Sequence, residues 1–193
     1  MTSSRCTSLK NVCLGLLLLA GSILAGGCVP VSLLAIDVVR DEREPRAYWQ
    51  DNKAEMDMRF SIYLNKAISD TNVSVTIWNA VVLLTGEVPD QQTIDRILDI
   101  AKSHHYTRQV VNRIELAGRT NMASRINDSW LTGRVKTALV VSGTVDPTRF
   151  KVVTERANVY LMGLVTSAEA TEAVMIVRSV PGVVRVIKVF EYL

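Results

Sequence analysis

Few residues of this chain have types and spacings that could do chemistry. The two histidines, His104 and His105, are adjacent, so on a helix they point about 100° apart and cannot form the i, i+4 pair that binds a metal. The serines lack a GxSxG setting, and the 19 carboxylates are scattered. The remaining candidate is Cys28, because Cys6 and Cys13 lie in a segment with the pattern of a removable signal. We therefore predict no enzymatic activity, no metal and no cofactor.

The first 27 residues have the composition of a secretory signal peptide. Arg5 and Lys10 supply its basic start, and Val12–Ala25 contains no charge. A membrane-spanning helix needs about 20 apolar residues, so a retained anchor is the less favoured alternative. Cys28 directly follows two glycines, an arrangement that resembles the lipobox of bacterial lipoproteins, with Ala25 where that motif usually has leucine. An ordinary signal peptide with a spare thiol is the other alternative.

The resemblance to a lipobox implies a covalent modification of Cys28. Its thiol would take a diacylglycerol, and the new N-terminus would take an N-acyl chain. Val29, rather than aspartate, after the cysteine implies by analogy transfer to the outer membrane, facing the periplasm. Acylation would also block the lone thiol of the mature chain, which would otherwise be reactive in an oxidising compartment. We therefore expect a lipid-anchored outer-membrane protein.

The rest of the chain contains an internal repeat. Residues 73–88 align with residues 150–165 without a gap and share a glycine, Gly86 in one copy and Gly163 in the other. Each copy has the pattern of a helix, a β-hairpin, a second helix and a closing strand. This order predicts an α+β fold of two tandem α-β-β-α-β modules, each a small three-stranded sheet with two helices packed on it. The predicted divisions are a signal peptide at 1–27, an acylated N-terminus and linker at 28–48, a first module at 49–117 and a second at 118–193.

Apolar spacing predicts the buried faces of the first helices and turn residues predict the hairpins. The apolar residues at helical spacing are Met56, Phe60, Tyr63, Leu64 and Ala67 in the first copy, and Leu131, Val135, Ala138 and Leu139 in the second. Asn79 and Asn158 suit the left-handed backbone of hairpin turns. The second helices are expected to begin near Asp90 and at a capping box formed by Thr166 and Glu169.

Several stretches of both copies resemble the BON domain, a periplasmic module often found in tandem in Gram-negative bacteria. They are VVLLTGEV, VYLMGLV, VPGVVRV and, at Asn127–Leu139, NDSWLTGRVKTAL. The first copy departs from the pattern at SHHYTRQVV, which lacks the glycine that Gly182 supplies in the second; a slip of one residue there would align Val110 with Val186. The resemblance implies a phospholipid-binding, division-associated lipoprotein that supports envelope integrity, with outer-membrane assembly or division proteins as partners.

Charge and one helix face indicate where a lipid would bind. Residues 29–117 carry a net charge of −3 and residues 118–193 a net charge of +4. A basic surface in the periplasm meets anionic phospholipid rather than nucleic acid. Tryptophan beside arginine on an exposed helix face is typical of an interfacial membrane contact, and a glycine there would let a headgroup approach the backbone. The predicted phospholipid-binding residues are Trp130, Gly133, Arg134, Thr137 and Val141.

A different class of function stays open from the sequence. Trp130 could instead pack on the linker or on the other module, where the aligned residue is Glu55. The protein would then be an interaction adaptor that docks on an envelope complex, such as the β-barrel assembly machinery, without lipid specificity. An exposed edge of either sheet could receive a partner strand. Lipid binding predicts a dependence on anionic lipid and on salt, whereas an adaptor predicts neither.

Overall fold

The computed structural model describes residues 45–118 and 122–193. The predicted signal peptide, Cys28 and most of the predicted linker lie outside these residues. Within them, none of the helices combines the length and the apolar character needed to cross a bilayer.

Two copies of the order α-β-β-α-β follow one another along the chain. The elements of the first copy are α1 (Pro45–Leu64), β1 (Asn72–Trp78), β2 (Val81–Val88), α2 (Gln91–Ser103) and β3 (Gln109–Leu116). Those of the second are α3 (Met122–Ser142), β4 (Phe150–Glu155), β5 (Asn158–Val165), α4 (Ser167–Arg178) and β6 (Arg185–Tyr192), with a 3₁₀ turn at Pro147–Arg149 before β4. The predicted α+β fold of two tandem modules is confirmed. Helix α1 begins at Pro45, inside the range predicted to be linker.

The second strand of each hairpin lies at the centre of its sheet. β2 pairs antiparallel with β1 and parallel with β3, and β5 pairs in the same way with β4 and β6. Corresponding residues of the two copies lie 77 positions apart up to the end of β2. From the helix caps Asp90 and Thr166 onward they lie 76 positions apart. The predicted slip that aligns Val110 with Val186 is therefore confirmed. The extra residue is Pro89, before α2, rather than a residue of the histidine loop.

The glycine shared by the two copies is required by a close approach of backbones. A Cβ atom on Gly86 would lie 1.8 Å from the carbonyl oxygen of Asn72, and one on Gly163 would lie 2.5 Å from that of Arg149. Both distances are shorter than any real contact. Any larger residue would therefore push the second strand away from the start of β1 in the first module and from the 3₁₀ turn before β4 in the second.

A buried carboxylate of α1 holds the first hairpin turn. Asn79 and Ala80 both have positive φ angles, 50° and 62°, which only glycine adopts without cost. Asp51 lies opposite this turn and accepts hydrogen bonds from both N–H groups, at 2.8 Å from Asn79 and 3.0 Å from Ala80. Its Oδ1 also accepts from the Tyr106 hydroxyl at 3.1 Å. The aspartate thus satisfies the donors that the left-handed turn points at the helix.

The second module repeats this arrangement. Asp128 of α3 accepts from the N–H groups of Arg156 and Ala157, both at 2.8 Å, and these two residues have φ angles of 49° and 60°. The prediction that Asn158 occupies the left-handed turn is wrong, because Asn158 already belongs to β5. The turn position depends on the carboxylate facing it rather than on a residue type that favours left-handed backbone.

The buried face of α1 is not the predicted one. The residues that face the sheet are Asp51, Ala54, Met58 and Ile62. The predicted core residues Met56, Phe60, Tyr63 and Leu64 are exposed, and Ala67 is exposed beyond the end of the helix. The physical reason is the contact of Asp51 with the hairpin turn, which sets the rotation of the helix about its axis. In α3 the prediction is confirmed, because Leu131, Val135 and Leu139 are buried, 77 positions after Ala54, Met58 and Ile62.

The two sheets pack against each other through the faces that their helices leave open. Trp78, Val81 and Leu83 of the first module are buried against Tyr160 and Met162 of the second. Strand β2 is therefore covered on both sides and is buried along its whole length.

Polar contacts at the border of this interface are reciprocal. Arg108 forms an ion pair with Glu191, which also accepts from the Asn79 side chain at 3.2 Å. Arg156, the counterpart of Asn79, forms an ion pair of 2.7 Å with Glu115, the counterpart of Glu191. Each module thus offers its hairpin turn to the last strand of the other, as in a two-fold symmetric dimer.

One carboxyl near this interface has a strongly altered acidity. Burial, and then the negative charges of Glu87 and Asp128, raise the pKa of Glu155 to about 7. Arg125 and Arg156 oppose the shift. The Glu87 side chain is itself buried and accepts a hydrogen bond from the Asn72 amide at 3.0 Å. Above about pH 7 the second module therefore carries an unfavourable negative charge at Glu155.

Replacing Asp51 by alanine should lower the free energy of unfolding by about 2–4 kcal/mol, because two N–H groups of a strained turn lose their buried acceptor. Chemical denaturation followed by circular dichroism measures this loss. Asp99→Ala, the same substitution at an exposed position of α2, is the matched control and should change the midpoint little. Equal effects of the two substitutions would contradict the role given to Asp51.

Replacing Glu155 by glutamine should stabilise the protein above pH 7 and have little effect near pH 5. The folded state keeps the Glu155 proton up to about pH 7, whereas the unfolded chain releases it near 4.5, so the wild-type free energy of unfolding falls as the pH rises between these values. The expected gain is on the order of 1 kcal/mol, less than the full shift implies, because solvent screens the half-buried carboxyl. Denaturation at pH 5 and pH 8 tests it, with Asp99→Asn on exposed α2 surface as control. A gain that does not depend on pH would refute this account.

Candidate functional site

The residues predicted from the exposed face of α3 lie together along one open groove. The groove has a volume of about 820 Å³ and runs between α3 and the chain that follows α4. Its far wall is formed by Ser179, Val180 and Pro181. The predicted residues that line it are Trp130, Gly133, Arg134, Thr137 and Val141.

The anchoring of α3 explains why these side chains face outward. Asp128 is held at the hairpin turn and Leu131, Val135 and Leu139 pack in the core, so the helix cannot rotate. The Thr132 hydroxyl adds a hydrogen bond of 2.8 Å to the Thr154 hydroxyl of β4. With this side of the helix fixed, positions 130, 133, 134, 137 and 141 must point toward the groove.

The groove combines apolar walls with a cation. Trp130 is 72% exposed and Val141 is 77% exposed, and the apolar side chains of Val180 and Pro181 face them. Arg134 is exposed and forms no ion pair with any other residue that the structure describes. Such a surface can hold an acyl chain beside an anionic headgroup. Among the described residues Trp130 therefore does not pack on the first module, and most of the predicted linker, the other part of that alternative, lies outside them.

Two residues of the groove contribute through shape rather than charge. A Cβ atom on Gly133 would meet no atom within 4 Å, so the glycine is not required by packing and leaves the helix backbone open. The Thr137 hydroxyl donates to the Gly133 carbonyl at 2.9 Å, so this hydroxyl is bonded within the helix. Since glycine costs a helix about 1 kcal/mol relative to alanine, the open backbone has a price in stability.

The first module has different side chains at the positions that correspond to the groove. The separation of 77 positions aligns Lys53 with Trp130 and Asp57 with Arg134. The predicted match of Trp130 to Glu55 is therefore wrong. His104 corresponds to Val180 of the groove wall, and its Nε2 lies 3.9 Å from an Asp57 oxygen. The first module therefore has a histidine directed at an aspartate where the second has an open apolar wall.

The two histidines have an evident structural role. The His104 ring stacks on that of His105 with centroids 4.7 Å apart, and its Nδ1 accepts from the Tyr106 N–H at 3.3 Å. Burial, followed by the charge of His105, lowers the pKa of His104. In the described parts of the chain, no three histidine, cysteine or acidic side chains come together in a way that could hold a metal ion.

Helix α1 covers the β1 edge of the first sheet. Arg59 donates to the Val75 carbonyl at 2.9 Å, and Glu55 accepts from the Ile77 N–H at 3.2 Å. A partner strand could not use these groups of β1 unless the helix side chains moved away. Strand addition at this edge, as the adaptor interpretation suggested, is therefore disfavoured.

The far wall of the groove and the position of Trp78 were not predicted from the sequence. The motif VPGVVRV supported the family resemblance, but nothing in its local pattern showed that Val180 and Pro181 would face Trp130. Trp78 is buried between the sheets. The unbroken apolar run at the start of β2 is typical of a strand buried on both faces and could have indicated the second sheet.

Comparisons with known proteins agree with the repeat. Residues 50–118 and 127–193 each match the BON domain family. Outer membrane lipoprotein DolP of Haemophilus influenzae is 32% identical over 182 residues, which are 92% of this chain and 94% of that protein. The 21 kDa hemolysin of Actinobacillus pleuropneumoniae is 30% identical over 123 residues, which are 64% of this chain and 63% of that protein.

Among solved structures, the C-terminal domain of CdsD, the structural protein of the type III secretion system of Chlamydia trachomatis, matches 74% of this chain and 67% of that one. The two are 14% identical, with a TM-score of 0.30. Both family matches thus fall on the modules described above, and the similarity to the lipoprotein of Haemophilus influenzae extends over nearly the entire chain.

Proposed function

Because the chain belongs to the BON domain family and is an outer-membrane lipoprotein, we propose that it is a non-enzymatic protein whose second module binds anionic phospholipid. One observation carries this proposal. The five residues selected by composition and spacing line a single open groove, with apolar walls and an exposed arginine. The binding supports envelope integrity by holding the modules at the inner surface of the outer membrane.

The first step of the proposed mechanism is the tether. Cys28 carries a diacylglycerol on its sulfur and an acyl chain on its nitrogen, and together these chains give durable attachment, since each buried methylene contributes about 0.8 kcal/mol. The modules then face the periplasm. Because the tether holds the modules near the bilayer, the local concentration of lipid around them is high. Even a weak lipid site is then occupied.

The second step is lipid selection by the groove. The aromatic ring of Trp130 and the side chain of Val141 enter the boundary between headgroups and acyl chains, where amphipathic aromatic residues are most stable. Arg134 then lies at the level of the lipid phosphates, and each basic residue near an anionic surface contributes about 1 kcal/mol. Gly133 leaves room for the headgroup beside the helix.

The tether predicts the chemical state of the N-terminus. Intact-mass measurement of the protein from membranes should give a chain that begins at Cys28 and carries three acyl chains. Cys28→Ala should remove this modification, whereas Cys13→Ala should leave it unchanged, because residue 13 lies in the removed segment. An unmodified N-terminus, or a retained segment 1–27, would refute the attachment.

The groove predicts which exposed apolar residues matter for binding. Two valines side by side on α3 give a matched pair, because Val140 and Val141 are both exposed and only Val141 lines the groove. With Cys28→Ser removing the acyl chains, the mature chain should bind vesicles containing phosphatidylglycerol or cardiolipin and should not bind zwitterionic vesicles. Trp130→Glu and Val141→Glu should reduce binding at least tenfold, since 1.4 kcal/mol corresponds to a factor of ten. Val140→Glu should bind like the parent.

The salt dependence separates this function from an adaptor role. Binding should weaken as the salt concentration rises, because Arg134 acts through an exposed and screened charge. Sedimentation of vesicles measures the binding, and circular dichroism verifies that each variant is folded. If Val140→Glu and Val141→Glu are indistinguishable, or if binding ignores lipid charge, the groove is not a phospholipid site and a protein partner becomes the better explanation.

A further inference from the structure

A second apolar surface lies on α1, on the opposite side from its core residues. It consists of five large side chains that are each between 59% and 82% exposed. We call it the α1 stripe, and its members are Trp49, Met56, Phe60, Tyr63 and Leu64. Their spacing of seven, four, three and one keeps them on one side of the helix over 15 positions, about 22 Å of its length.

The α1 stripe is not required by the fold of the module. The core side of α1 is formed by Ala54, Met58 and Ile62, half a turn away, and is complete without it. Large exposed apolar surfaces on a folded domain mark contacts with membranes or proteins. Three of the five side chains are aromatic, and tryptophan and tyrosine are the residues most enriched at the boundary between membrane and water.

The internal repeat relates this surface to the proposed lipid site. With a separation of 77 positions, Met56, Phe60 and Leu64 occupy the places of Gly133, Thr137 and Val141. The first helix of each module therefore presents the same side to the surroundings. In the second module this side borders a groove with a cation, and in the first it is a convex row of apolar side chains.

The two surfaces are also connected across the molecule. Tyr63 of the α1 stripe and Ser129 of α3 line the same cleft between the modules, which has a volume of about 810 Å³. Ser129 is also part of the groove at Trp130. One end of the α1 stripe and one end of the groove therefore border the same cleft.

The chain length before α1 favours the membrane as the occupant. Seventeen positions separate Cys28 from Pro45, and a fully extended chain of that length spans at most about 60 Å. Among the described elements, α1 thus has the shortest connection to the proposed acyl anchor. The charges beside the stripe are balanced, because Lys53 pairs with Asp57 at 2.5 Å, so the contact needs no anionic lipid.

We infer that the α1 stripe is a second membrane contact, which inserts shallowly into the same leaflet as the acyl chains and depends on apolar burial rather than on headgroup charge. The inference rests on the proposed attachment through Cys28 and is independent of the groove at Trp130. Attachment at three places, the acyl chains, the α1 stripe and the groove, would fix the orientation of both modules on the bilayer.

The three tryptophans allow the two surfaces to be measured separately. Trp78 is buried between the sheets, whereas Trp49 and Trp130 are exposed on the two surfaces. Trp130→Phe leaves Trp49 as the exposed reporter, and Trp49→Phe leaves Trp130. Each acylated mature protein is placed in zwitterionic vesicles with plain or brominated acyl chains, since bromine quenches tryptophan only on contact. The same pair is then measured with phosphatidylglycerol added.

We expect brominated lipid to reduce the Trp49 emission in both kinds of vesicle, and to reduce the Trp130 emission only when phosphatidylglycerol is present. Phe60→Glu should abolish the loss of Trp49 emission, whereas Ser61→Glu, the exposed neighbour on the same helix, should not. Circular dichroism confirms that both variants are folded.

The outcomes distinguish this inference from the proposed function. Trp49 emission that is equal in plain and brominated vesicles would overturn the inference and leave the groove untouched. Loss of Trp49 emission together with an unquenched Trp130 in anionic vesicles would support the α1 stripe and refute the groove. If the non-acylated Cys28→Ser chain dimerises in sedimentation and Phe60→Glu makes it monomeric, the stripe is an interface between copies and the membrane inference is overturned.

Discussion

In each module, a buried aspartate of the first helix accepts hydrogen bonds from the two N–H groups of the hairpin turn. Because both turn residues have left-handed backbone, their donors point at the helix and would lack a partner without Asp51 or Asp128. The contact ties the helix to the sheet at a single rotation about its axis. Which side chains enter the core, and which face the surroundings, then follows for the whole helix. The candidate lipid groove and the α1 stripe are both consequences of this constraint.

The second organising feature is the packing of the two sheets against each other. A three-stranded sheet with helices on one face leaves the other face apolar, and here each module covers the face of the other. The hairpin turn of one module meets the last strand of the other through ion pairs, Arg108 with Glu191 and Arg156 with Glu115. This arrangement places all four helices on the outside. The helix faces are therefore available for a membrane, while the sheets hold the modules together.

The two copies have kept the same framework and have diverged on the exposed side of the first helix. The core positions, the turn aspartate and the close-approach glycine occur in both. On the exposed side, Asp57 stands where the second module has Arg134, and His104 stands where it has Val180. A duplicated module can change its surface in this way without loss of stability, because the exposed side makes few contacts that the fold needs. Two different kinds of membrane contact on equivalent helices are compatible with this history.

The sequence by itself determined the features that depend on local chemistry. Four features follow from the properties of neighbouring residues. They are the repeat, the order of the elements, the exposed face of α3, and the helix caps at Asp90 and at Thr166 with Glu169. The rotation of α1 does not, because that helix has two apolar rows, one through Met58 and one through Phe60, and helical spacing alone cannot choose between them. Only the tertiary contact of Asp51 with the turn decided which row is buried. The wall of the groove at Val180 and the burial of Trp78 between the sheets also join residues distant in sequence, so no local pattern could contain them.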